Sequence, residues 1–237
     1  MRPNVSVFQN RGAAARACAA RIAASLNEAL AGQSAVSFAI SGGAGPAIMF
    51  GSLVKERLPW DRIHVFWVDE RSVPPEDDAS NFRMARETLI APAKIPEANI
   101  HRIPGEIEPF AAASEYTADI RRHFGLGRYG LPSFDVLHLG MGPDAHTASL
   151  FPGSPLLDDR DRIASAAYAP QFRQWRVTLL PGVLLNARRT VALTTGADKA
   201  EAFHSVMNKD NDLKRYPAQL ARDAEWFVDE DAARQER

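Results

Sequence analysis

An α/β fold, Rossmann-like with a mostly parallel sheet and helices on both faces, is predicted by three features of the sequence. Short apolar runs alternate with helical patterns from end to end. No internal repeat, low-complexity tract or long linker interrupts that alternation. The chemically unusual residues collect in loops that follow the apolar runs, where open parallel sheets bind ligands. With 237 residues, 46% of them hydrophobic, the chain is read as one α/β domain over 1–237.

In chain order, the first pattern is an Ala-rich helix over 11–31, which carries the one cysteine, Cys18. A thiol in such a pattern is read as packed, and a lone cysteine has no internal disulfide partner, which fits a reducing compartment. The run AVSFAI (35–40) is a strand, followed by the turn SGGAG (41–45) and a helix over 46–57. Pro46 suits a first helical turn, where its missing N–H has no acceptor to lose. IHVFWV (63–68) is the next strand. Ser80 is a good N-cap for a helix over 80–90. The Pro-rich stretch 91–109 reads as a surface connection, and a helix follows over 109–124. FDVLHL (134–139) and TVALTT (190–195) are strands; helices are expected over 197–207 and, briefly, from Asp229.

Charge and hydropathy narrow the functions. The 28 basic and 29 acidic residues leave a net charge of −1, which gives no reason to expect a surface for nucleic acid or an anionic membrane. No apolar run reaches the ~20 residues that cross a bilayer. The amino-terminal residues lack the apolar core of a signal peptide. The expectation is a cytoplasmic protein, monomer or small homo-oligomer, acting on a small molecule.

Three strand-to-helix loops are candidate site walls. In SGGAG, Ser41, Gly42 and Gly43 can bring backbone N–H groups to an anion at a helix N-terminus, and a phosphate is the natural guest. A plain tight turn fits the same residues, and the Lys-Ser/Thr pair of a P-loop is missing. In DERSVPPEDDASN (69–81), Asp69, Glu70 and Arg71 stand at a strand tip, where an arginine can clamp phosphate or carboxylate beside an acid. A structural ion pair fits them too, and Glu76, Asp77 and Asp78 read as a solvated face. The third loop, GMGPDAHTASLFPGSP (140–155), formally matches a dinucleotide fingerprint. Pro143 removes a needed N–H, however, and FPGSP breaks the helix that should follow.

That loop also holds His146, with Asp144 close enough to orient it. Histidine changes charge near neutral pH and is the usual general base. Of the other histidines, His64 and His138 lie in strand patterns and read as packing or hydrogen-bonded residues, while His101, His123 and His204 have no recognisable partners. No C-x-x-C, H-x-x-x-H or clustered His/carboxylate spacing suggests a metal site. Ser149 is not in a G-x-S-x-G elbow.

These stretches together resemble the 6-phosphogluconolactonase family, within the glucosamine-6-phosphate isomerase/deaminase superfamily. The resemblance rests on SGG (41–43) with Pro46, DER (69–71) with Ser80 and Asn81, and LGMGPDAHTASLFPG (139–153). Weaker matches are Arg176 and Thr178 in WRVTL, GADKA (196–200), Pro217 and WFVDEDAA (226–233). It implies hydrolysis of 6-phospho-D-glucono-1,5-lactone, with His146 as base and Asp144 supporting it. It also implies that Ser41, Gly42, Gly43 and Asp69, with some of Arg71, Lys199 and Arg176, bind the phosphorylated substrate, without metal or organic cofactor. Two positions depart from the family pattern. SGGAGP stands where the family has SGGSTP, and DAH where it has DGH. If position 145 needs a positive φ, Ala145 is strained by roughly 1–2 kcal/mol. A deaminase of the same superfamily is the alternative enzyme, but it would place a glutamate where TASLFPG has none, and DEY where this chain has DER. A non-catalytic sugar-phosphate sensor is the second alternative, supported by the altered SGGAG loop.

Overall fold

The computed structural model describes residues 4–234. The chain forms β1 (Asn4–Phe8), α1 (Arg11–Leu30), β2 (Val36–Ile40), α2 (Ala44–Leu53), β3 (Ile63–Trp67) and β4 (Asp69–Arg71). Then α3 (Asn81–Ala85) passes through a π-helical turn (Arg86–Ile90) into α4 (Ala91–Ala93). β5 (Ile100–His101), α5 (Pro109–Phe124), β6 (Val136–Leu139), β7 (Ala164–Ala169) and β8 (Gln174–Leu179) follow. The remainder is α6 (Pro181–Leu185), β9 (Thr190–Thr194), α7 (Ala200–Asn208), β10 (Glu225–Asp229) and α8 (Glu230–Ala233).

Seven strands pair in the order β1-β10-β9-β6-β2-β3-β5, every pair parallel. The chain runs outward from β2 through β3 to β5, then returns to the other side of β2 as β6. The order therefore reverses between β2 and β6, and a crevice opens at their carboxyl ends. A second sheet, β4-β8-β7, is antiparallel and was not expected.

Alternation along the strands explains the helices on both faces. Phe66 points to the face covered by α5, where it meets His123 and Phe124. Trp67 and His138 point the other way, against Phe82 of α3 and Phe50 of α2. On that side α1 buries Ala14, Ala15, Cys18, Ala19, Ile22 and Leu26, a helical stripe small enough to lie close on α2, β9 and β10. Asn10 caps α1 by accepting from the Ala13 N–H at 3.0 Å. Cys18 is fully buried with Sγ 3.4 Å from Met49 Sδ, and burial pushes its thiol far above the ordinary range, so it is packed and inert. On the opposite face, the buried Tyr116 hydroxyl donates to the Trp67 carbonyl at 2.6 Å and accepts from the Trp67 N–H at 2.9 Å, clamping α5 to β3.

Three expectations need correction. Helix α2 begins at Ala44, so Pro46 is its third residue, though still in the first turn. The segment 91–109 is more than a surface connection: it buries Ile95 and Ile103 and supplies β5, which pairs with Val65 and Phe66. Ser80 does cap α3, accepting from the Arg83 N–H at 3.1 Å, but the helix continues past residue 90.

Candidate functional site

The crevice between β2 and β6 holds a cavity of about 380 Å³. Its walls include Ser41, Gly42, Gly43, Asp69, Arg71, His146, Arg176 and Lys199, drawn from five separate loops and strands. The structure thus gathers eight of the nine residues expected at the site. The ninth, Asp144, stands behind the wall and bonds to Nδ1 of His146.

The first wall is the turn after β2. Ser41 donates to the His138 carbonyl at 3.0 Å, tying β2 to β6 at the crevice. A Cβ on residue 42 would stand 1.9 Å from Oδ1 of Asn81, so only glycine lets Asn81 approach. The first turn of α2 opens onto the cavity through Ala44, Gly45 and Pro46. Its leading N–H groups lack intrahelical acceptors, and the helix dipole adds positive potential there.

The second wall grows from β3 into β4. Glu70 is 2% exposed and accepts from the N–H groups of Arg71, Asn81 and Phe82 at 2.7–2.8 Å and from the Ser80 hydroxyl at 3.1 Å. Burial raises its carboxyl pKa, and the three backbone bonds offset only part of that rise. Glu70 therefore staples the start of α3 to the strand tip. Asn81 donates to the Asp69 carbonyl at 2.9 Å and faces the cavity. Asp69 is 5% exposed; Ser149 donates to its carboxylate at 2.6 Å, and Arg176 lies 3.9 Å away. Arg71 donates to the Ala79 carbonyl through Nη1, but its Nε is buried without a protein partner, as is Nε of Arg176. Arg176 reaches the cavity from β8 and packs its guanidinium over Phe172 at 4.8 Å. The second sheet has a purpose in this geometry, because the β4–β8 pairing sets Arg71 directly opposite Arg176.

The third wall is the loop after β6. The loop closes on itself, with Gly142 N–H donating to the His146 carbonyl at 2.9 Å and Ala145 N–H to the Gly142 carbonyl at 3.1 Å. A Cβ on residue 142 would stand 2.1 Å from the His146 ring and 2.8 Å from Asp144 Oδ1. The sequence expectation for residue 145 is met: Ala145 has φ +63°, and Ala148 in the same loop has φ +52°. Burial alone would raise the Asp144 carboxyl pKa, but the hydrogen bonds and charge of His146 outweigh it, and the carboxyl sits below its ordinary range. Phe151 packs against the His146 ring at 4.6 Å. Ser149 is fully buried, hydrogen-bonded to Asp69 and to Thr178, which suits a scaffold rather than a nucleophile.

Sequence reasoning missed Arg11, which joins the cavity wall from the start of α1 beside Thr194, Thr195 and Asp198. Lys199 stands near it, paired with Asp198 at 2.6 Å. The only signal for Arg11 is topological, since β1 must lie beside β10 before residue 11 reaches the crevice. The expectation that His101 and His123 lack partners is overturned: they lie with His64, and His101 Nδ1 is 2.7 Å from Asp119. His204 makes a short-range contact with Asn208.

Comparison with known proteins identifies the family of the chain. Residues 9–228 match the family model described as glucosamine-6-phosphate isomerases/6-phosphogluconolactonase. The chain belongs to that family. A 6-phosphogluconolactonase of Synechocystis is 34% identical over 236 residues, covering 98% of each chain. That of Treponema pallidum is 36% identical over 195 residues, 81% of this chain and 80% of its own. The crystal structure of 6-phosphogluconolactonase from Thermotoga maritima superposes with a TM-score of 0.83 at 26% identity, covering 95% of this chain and 99% of the other. Among the described residues, no helix is long and apolar enough to cross a membrane.

Proposed function

We propose that this protein hydrolyses 6-phospho-D-glucono-1,5-lactone to 6-phospho-D-gluconate in the oxidative pentose phosphate pathway, with His146 as the general base. One observation carries the reading: a carboxylate-oriented imidazole shares a cavity with two guanidinium groups whose buried Nε atoms have no protein partner. Such donors call for an anion. The names of the relatives supply the lactone.

Phosphate binds at the Ser41-Gly42-Gly43 turn and the N-terminus of α2, with charge from some of Arg71, Arg176 and Lys199, now joined by Arg11. The Asp144 bond holds the Nδ1 proton of His146, which leaves Nε2 to accept. Nε2 takes a proton from water as the water oxygen bonds to C1. The carbonyl π pair moves onto oxygen, where a backbone N–H or Arg71 stabilises it. Collapse of that tetrahedral species breaks the bond from C1 to the ring oxygen, which leaves with the proton returned by His146. The step as drawn uses only side chains, backbone and water. The deaminase alternative lacks its acid: where that chemistry needs a carboxylate a few residues after the histidine, this chain packs Phe151.

The test is lactone hydrolysis by wild type and His146→Ala, corrected for spontaneous opening. Loss of about 10²–10⁴-fold in kcat by the folded variant is expected. Turnover that survives the substitution would discard His146 as base. An inactive wild type that still binds 6-phosphogluconate would favour the sensor, and turnover of glucosamine-6-phosphate the deaminase.

A further inference from the structure

Away from the cavity, on the face of the sheet covered by α5, three histidines converge. His64 is the second residue of β3, His101 ends β5, and His123 lies in the last turn of α5. None lines the cavity. One ligating atom from each lies within 4.8 Å of the others. His64 Nδ1 and His101 Nε2 are 3.1 Å apart. Two nitrogens on a tetrahedral zinc stand about 3.3 Å apart, given Zn–N bonds of 2.0–2.1 Å. The ring centroids of His64 and His123 are 4.5 Å apart, and those of His101 and His123 4.9 Å.

The surroundings supply what a metal site needs beyond its ligands. Asp119, one turn before His123 on α5, bonds to His101 Nδ1 at 2.7 Å. That bond fixes the His101 proton on Nδ1 and turns the Nε2 lone pair toward the other two rings, as in carboxylate–histidine–zinc arrangements. Arg122 holds the other oxygen of Asp119 at 3.1 Å, which orients the carboxylate. All three histidines are partly buried, so their rings are held by packing while each keeps some exposure to solvent. His101 stacks on Phe66 at 4.2 Å with the planes 4° apart.

We propose that His64 Nδ1, His101 Nε2 and His123 form a site for a zinc-class divalent transition metal, with Asp119 orienting His101 from behind. Three neutral imidazoles select zinc, copper, nickel or cobalt over magnesium and calcium. The fourth position is left to water. Binding requires His64 to carry its proton on Nε2, since Nδ1 becomes a ligand. The ion ties the two-residue edge strand β5 and the end of α5 to β3, so its effect is on stability and not on turnover. The cluster escapes sequence inspection because its members are 37 and 22 residues apart on three different elements.

The experiment is titration of the tag-free, chelator-treated full chain with zinc chloride by calorimetry, alongside thermal denaturation. One equivalent bound, a melting temperature that climbs with zinc, and no response to magnesium are expected. Cobalt(II) should give the visible absorption of a tetrahedral site. His64→Gln and His123→Gln should each weaken zinc binding by at least 100-fold, and Asp119→Asn by about 10–100-fold. Asp119 is partly exposed, so that variant keeps the test informative if a histidine variant fails to fold. His146→Gln should leave the stoichiometry unchanged. Absence of binding, survival of the full affinity in His64→Gln or Asp119→Asn, or loss of the site in His146→Gln would overturn the assignment.

Discussion

Strand β6 and the loop that leaves it carry two histidines, His138 and His146, in opposite circumstances. His138 is fully buried, packs edge-on against Phe50 at 6.4 Å, and has no partner for either ring nitrogen. His146 faces the cavity, with Nδ1 bound to Asp144 and its backbone closing the turn. Burial without a partner pushes the His138 pKa down to about 3, so it stays neutral and serves as an aromatic spacer. A carboxylate behind the other ring, at the cavity wall, fits that ring for the base role proposed above. The difference lies in the second group, not in the imidazole, and it arises where the strand stops and glycine lets the chain turn.

The largest expected effect removes the difference at its source. His146→Ala should cost about 3–5 kcal/mol of barrier, the equivalent of a 10²–10⁴-fold loss in kcat, whereas His138→Phe should leave steady-state lactone hydrolysis near wild type. Equal losses in kcat would break the contrast. Gly142→Ala comes next, because its Cβ would occupy the space of the His146 ring. A fall of about 10²-fold in kcat with an unchanged KM is expected from the displaced ring. Unaltered kinetics would show that the loop relaxes without moving the base. Arg71→Ala, in contrast, should act mainly on KM.

The next effect concerns stability and, of the two histidines, acts on His138 alone. Its folded pKa of about 3 lies below the ordinary histidine value near 6.5. Between these values the unfolded chain binds a proton that the folded chain refuses. This contribution is intact above about 6.5 and is lost as the pH falls, by about 1.4 kcal/mol for each unit down to about 3. Urea unfolding of wild type and His138→Phe from pH 7 to 4.5 measures it, and the variant should show the shallower decline. Parallel declines would mean that His138 is hydrated in the native state. The smallest effect is Ala145→Gly. Relief of the positive φ should exceed the added freedom of the unfolded chain and stabilise the protein by about 0.5–1 kcal/mol. Destabilisation would show that the Ala145 side chain, buried in the native state, is worth more than its strain.

The same contrast between central and peripheral structure decides what the sequence revealed. Strands β2, β3, β6 and β9 are runs of buried apolar residues in the middle of the sheet, and each is legible from its own residues. Edge strand β1 alternates weakly, NVSVF, and depends on pairing with β10. β7 reads ASAAYA, too rich in alanine to suggest a strand until β8 lies beside it. β5 has two residues and no periodicity to detect. The candidate site followed the same rule. His146, Asp144, Arg71 and the SGG turn sit within short motifs just beyond legible strands. Asn81 was visible as part of a resemblance but not as a wall of the cavity. Arg11 and the trio of His64, His101 and His123 depend on long-range pairing, which no local spacing encodes.

The pairing of β1 with β10 also has a consequence in time. Asn4–Phe8 hydrogen-bond in the sheet only to Glu225–Asp229, across nearly the whole described chain. On the ribosome, which adds about 5–20 residues per second, β1 emerges early and must wait without a neighbour until β10 has been made. Until then Arg11 has no fixed place. A nascent chain can assemble the walls built on β2, β3 and β6 while synthesis continues, but the cavity acquires its full set of cations only when the sheet is closed at that edge.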